Sequence, residues 1–62
     1  MAPQEIAFYY EKGTLGGFST KLMDTICIAD TFNRNRIKLA FPEYIRAYEL
    51  WFSKPKGWDK WD

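Results

Sequence analysis

The 62-residue sequence contains no histidine. That absence removes the Ser-His-Asp and Cys-His arrangements that activate a nucleophile. Cys27 is the only cysteine, so no intrachain disulfide can form. A lone thiol without imidazole partners does not build a zinc site of the usual kind. Two of the three staples available to small domains are therefore excluded, which leaves a dense core or association with a partner. The unpaired cysteine fits a reducing compartment. No run of about 18 apolar residues is present, so no membrane-spanning helix is expected. The first residues lack the basic start, apolar stretch and small-residue cleavage site of a signal peptide. Together these features predict a cytoplasmic location, with no membrane partner, no metal and no cofactor. Charge of one sign is not in excess either. Nine basic and eight acidic residues leave a net charge of +1, which is no global signature for nucleic acid or an acidic substrate.

What the sequence does have is apolar and aromatic material. Hydrophobic residues make up 47% of the chain and aromatic residues 19%. Disordered chains are poor in both. A chain of this length forms one domain, residues 1–62, and buries only about 60% of the surface its unfolded form exposes. More ring surface is available than one such core needs.

The order of residues predicts a mainly α fold with three helices, an aromatic N-terminal segment and an extended Trp-rich tail. Residues 2–12 suit helix and strand equally. Pro3 with Gln4 and Glu5 would open a helix, yet Ile6-Ala7-Phe8-Tyr9-Tyr10 is also a good strand run. Gly13 ends either one. The glycine-rich stretch 13–17 is a soft connector. Ser19 is the expected cap of a helix over about 20–29, with Phe18 packing one turn further in, on Leu22 or Met23. Leu22, Ile26 and Ala29 share a face, Met23 and Cys27 flank it, and Ile28 points nearly opposite. Asp30 is the expected cap of a helix over 31–40. Its apolar face is Phe32, Leu39 and Ala40, with Ile37 at the border. Arg34 and Lys38 fall on the outer face and Arg36 on the apolar side. Phe41-Pro42 breaks the chain and opens a third helix over 42–52. Phe41, Tyr44, Ile45, Tyr48, Trp51 and Phe52 form its broad face, with Ala47 and Leu50 away from it. Residues 53–62 leave the helical pattern, with Trp58 and Trp61 in polar surroundings.

Chemistry is sparse in this pattern. Cys27 lies mid-helix among apolar neighbours, which suits a structural thiol. The carboxylates are scattered, with Glu43 and Glu49 six apart, and solvated or capping roles account for them. The stretch 13–21, GTLGGFSTK, lacks the Gly-Lys-Ser/Thr contact of a phosphate loop. The chain is therefore expected not to be an enzyme. Two groups of residues remain. Arg34, Arg36, Lys38 and Arg46, interleaved with Asn33 and Asn35, resemble a nucleic-acid or anion contact, because arginine and asparagine read base edges. Against that, the cations do not share one face, and a solvated face with Arg36 in a structural ion pair is the alternative. The second group is Phe8, Tyr9, Tyr10, Trp51, Trp58 and Trp61, because aromatic rings anchor protein interfaces. For the tail tryptophans, the alternative is that they cover the domain's own core.

Residues 16–51, GGFSTKLMDTICIADTFNRNRIKLAFPEYIRAYELW, resemble short uncharacterised proteins of gut bacteria and their phages. The positions that carry the resemblance are Gly17-Phe18, Leu22, Ile26, Ala29-Asp30, Asn33-Arg34, Arg36, Ala40-Phe41-Pro42-Glu43 and Tyr48. It implies a phage or prophage accessory protein, in the host cytoplasm, and carries no activity or functional residue with it. The expectation that combines these strands is a small protein-interaction module that self-associates, as a homo-oligomer, through aromatic surfaces. A nucleic-acid-binding protein using the basic cluster is the second expectation, and a virion structural component the third.

Overall fold

The computed structural model describes residues 1–60. It contains four helices: α1 (Pro3–Lys12), α2 (Gly17–Ile28), α3 (Thr31–Ala40) and α4 (Pro42–Ser53). The expected three-helix count is thus corrected to four, because the N-terminal segment is helical. Pro3 starts α1 at a position where its missing N–H costs nothing. The Glu5 side chain accepts from the Ala2 N–H at 3.3 Å, within the first turn. Gly13, at φ 74°, closes α1 in the left-handed conformation that glycine adopts most readily. No strand occurs among the described residues.

The start of α2 also differs from expectation. Gly16 is its N-cap, and the helix begins at Gly17. Ser19 is therefore inside the first turn, where its Oγ meets the Tyr44 hydroxyl of α4 at 2.7 Å. Thr20 Oγ1 instead ties the turn down, donating to the Leu15 carbonyl at 2.7 Å. Phe18 does not pack inward; it is 69% exposed and its ring lies 6.2 Å from that of Phe41. The next junction follows the sequence. Asp30 Oδ1 accepts from the Asn33 N–H at 2.8 Å and caps α3. Pro42 opens α4, and Glu43 sits in its first turn, where the helix dipole favours an acid.

Helices α1, α2 and α3 all pack against α4. The core consists of Ile6 and Ala7 from α1, Leu15 from the connector, Met23 and Ile26 from α2, and Ile45 and Ala47 from α4. Helix α4 is covered from three directions, so its buried arc is wider than one stripe. Ala47 is fully buried and Leu50 half-buried, although the sequence pattern set both apart from the main face. Pro42, Arg46, Glu49 and Ser53 form an exposed line of α4, with Phe52 exposed beside it, and the line carries an Arg46–Glu49 ion pair at 3.3 Å.

Helix α3 is the exception. It buries no side chain completely. Ile37 and Arg34 are half-buried and face the rest of the domain, whereas Phe32 and Leu39 are 68% and 88% exposed. The expected apolar face of this helix therefore points to solvent.

Because α4 is covered on three sides, a loss of volume in the core is felt by every helix. Ile26 is fully buried. Ile26→Ala should lower unfolding stability by about 2–5 kcal/mol, the cost of an unfilled core site. Phe32→Ala, which removes a larger but exposed side chain, should change it by less than about 0.5 kcal/mol. Urea denaturation followed by far-UV circular dichroism measures both, and equal losses would overturn this assignment of the core.

Candidate interaction surface

The aromatic residues singled out in the sequence are mostly occupied inside the domain. Trp51 Nε1 donates to Glu11 Oε1 at 2.8 Å, and its ring meets that of Tyr10 at 5.1 Å, edge to face. Glu11 also pairs with Lys54 Nζ at 3.5 Å. The same ammonium lies 4.5 Å from the Trp51 ring and 5.7 Å from the Trp58 ring. Lys54 holds these groups together from a left-handed backbone conformation, φ 43°, that ends α4. The chain then turns through Pro55–Lys60, with the Trp58 N–H donating to the Pro55 carbonyl at 2.9 Å. Trp58 is half-buried against the core. The expected extended tail is thus corrected, over its described part, to a turn folded back on the domain. Trp61 lies outside the described residues. Phe8 and Tyr9 are half-buried, their rings 5.4 Å apart, with Lys12 Nζ 5.4 Å from the Phe8 ring.

Tyr10 is half-buried and reaches α2. Its hydroxyl donates to Asp24 Oδ1 at 2.5 Å and stands 3.7 Å from Cys27 Sγ. Burial, the Asp24 hydrogen bond and the Cys27 contact all push the Tyr10 phenol well above its usual range. This cluster joins α1 to α2. The phenol, which keeps its proton here, ties Asp24 and the half-buried Cys27 into the tertiary structure.

The four cations of the basic cluster do not share a face. Arg34, expected on the outer side of α3, is turned inward. Its Nε donates to the Ile26 carbonyl at 3.0 Å and its Nη2 to the Cys27 carbonyl at 3.4 Å. Its guanidinium also covers the Tyr48 ring at 4.7 Å. Arg34 thus adds donors to two carbonyls in the last turn of α2, one of which, that of Ile26, also accepts from the Ala29 N–H at 3.3 Å. Arg36, expected on the apolar side with an acidic partner, is exposed and lies 5.6 Å over the Phe32 ring. The two exchange places because the inward side of α3 is set by Arg34 and Ile37, not by Phe32 and Leu39. Lys38 is exposed on another line of α3. Arg46 belongs to the exposed line of α4, beside a recess of about 280 Å³ formed with Ala2, Pro3, Gln4 and Leu50.

The surface that remains is apolar and was not singled out by the sequence pattern. Ile28 is 87% exposed, Phe52 70%, and Phe32 and Leu39 stand out from α3. The available signal in α2 was Ile28, placed nearly opposite the main apolar face; in α3, Phe32 and Leu39 were expected on the inward side and stand on the outward one. Among the described residues, no three ligating side chains converge on a metal position, and no helix is long and apolar enough to cross a membrane.

Two outcomes test this geometry. Arg34→Lys keeps the charge but loses the planar fork, and should cost about 1–2 kcal/mol of stability; an unchanged urea midpoint would remove its capping role. For Tyr10 the sign is fixed by its raised pKa. Above pH of about 10, the phenol of the unfolded chain ionises while the folded one keeps its proton. Stability should therefore fall as pH rises beyond that point, and Tyr10→Phe should flatten the decline in denaturation curves between about pH 9 and 11. Comparison with protein-family models, with curated proteins and with solved structures finds no match for this chain.

Proposed function

We propose that this chain is a non-enzymatic protein-interaction module whose contact surface is the outward side of α3 with the neighbouring apolar side chains. The observation that carries the reading is the state of α3. It contributes no fully buried side chain to the core, yet directs Phe32 and Leu39 into solvent. Exposed large apolar groups grouped on one element mark interaction sites. Of the rings first assigned to self-association, Tyr10, Trp51 and Trp58 are engaged by Asp24, Glu11 and Lys54 within the fold, so the proposed contact moves from the chain ends to α3. The dispersal of Arg34, Arg36, Lys38 and Arg46 supports a protein partner over nucleic acid, because phosphate-driven binding needs cations that act together. The resemblance over residues 16–51 adds a setting, a phage or prophage accessory protein acting in the host cytoplasm.

The full chain, immobilised, should retain a specific protein from a lysate of the cells that make it. The double variant Phe32→Ser/Leu39→Ser, folded by circular dichroism, should not. Sedimentation equilibrium of the same samples identifies a second copy as the partner if the wild type exceeds 7.4 kDa and the variant does not. Identical retention by both proteins, with no difference in mass, sinks the proposal.

A further inference from the structure

We propose that α3 is a recognition helix that inserts Phe32 and Leu39 into an apolar groove of a different protein, one whose rim carries carboxylates. This rests on the interaction-module reading and names the chemistry of its partner. Phe32 and Leu39 are seven residues apart, so they lie two helical turns, or about 10 Å, along one side of α3. That is the anchor spacing by which amphipathic helices enter grooves. Ile37 and Arg34 hold the opposite side of α3 to the domain. The anchors are therefore presented by a helix that is already folded and fixed in orientation, which lowers the ordering cost of binding.

Charge selects the occupant. Thr31–Ala40 contains Arg34, Arg36 and Lys38 and no acidic residue. Arg34 is consumed by the α2 carbonyls, whereas Arg36 and Lys38 are exposed. Arg36 lies over the Phe32 ring, beside the anchors. A second copy docking through the same face in two-fold symmetry would place its axis midway between Phe32 and Leu39, at Asn35 and Arg36. The two Arg36 guanidinium groups would then oppose each other, and like charges across an interface are disfavoured. Nucleic acid would have to meet Phe32 and Leu39 at the centre of the face, with phosphate contacts only at its border. A groove with apolar pockets and a carboxylate rim satisfies both the anchors and the cations.

The test uses the isotopically labelled full chain and Ca²⁺-loaded calmodulin as the probe. Calcium opens a Met-lined groove in calmodulin that accepts basic amphipathic helices. Expected are amide shift changes centred on residues 31–40, with micromolar affinity, abolished by chelating the calcium. Phe32→Ser and Leu39→Ser should each weaken binding about 30-fold, as loss of an interface anchor does. Arg36→Glu/Lys38→Glu should weaken it about tenfold and reduce its salt dependence. Phe18→Ser, at an exposed ring on α2, should leave it unchanged. The proposal is overturned by no shift at about 200 µM calmodulin, or by equal affinity in the anchor variants. It is also overturned if phosphatidylserine vesicles or a mixed-sequence duplex bind α3 more tightly than calmodulin, or if the shifts arise from self-association. Failure here with the lysate capture intact removes the acidic groove and leaves the interaction module standing.

Discussion

Everything in this domain depends on α4 being surrounded. The chain has no disulfide and no convergent metal ligands among its described residues, so one helix packed by three others supplies the cohesion. Ala47 is the position where this is clearest. It is fully buried on α4, as Ala7 is on α1, and small side chains let neighbouring helices approach closely. A bulky residue at Ala47 would have to push a neighbouring helix away from α4. The aromatic residues of α4 then reach out in different directions. Tyr44 meets Ser19 of α2, Tyr48 lies under Arg34 of α3, and Trp51 meets Tyr10 and Glu11 of α1.

The aromatic abundance therefore has a structural use before it has a functional one. Long, flat side chains with a polar tip bridge gaps between short helices and still satisfy a hydrogen bond at the far end. Lys54 and Arg34 act in the same way from the basic side, each combining a polar contact with a ring face. Residues that resemble binding groups in the linear sequence are thereby turned into internal braces. The apolar surface that the braces do not cover is the outward side of α3 and the ends of α2 and α4.

Local chemistry was legible from the residues alone. Gly13 ended α1, Asp30 capped α3, and Phe41-Pro42 separated α3 from α4. These outcomes are decided by backbone conformation and hydrogen bonds within a few residues, which is the information a sequence carries most directly. The choice between helix and strand for residues 3–12 was not legible, because a run such as Ile6–Tyr10 fits both periods. It is settled by the proximity of α4 and the absence of a strand partner among the described residues. The position of Ser19 was missed for a related reason. Its hydroxyl finds Tyr44, 25 residues away, and no local rule anticipates that contact.

By itself the sequence determined a mainly helical fold, the helix boundaries set by Gly13, Asp30 and Pro42, and the lack of any histidine or cysteine pair among these 62 residues. The tertiary structure decided which side of each helix is inside. Periodicity shows that Phe32, Leu39 and Arg34 lie on particular lines of α3, but not which line the rest of the chain will cover. That depends on where the α2 carbonyls and the Tyr48 ring are placed to receive Arg34. Once the guanidinium is held there, the opposite line of α3 must face solvent, and Phe32 and Leu39 become the exposed pair.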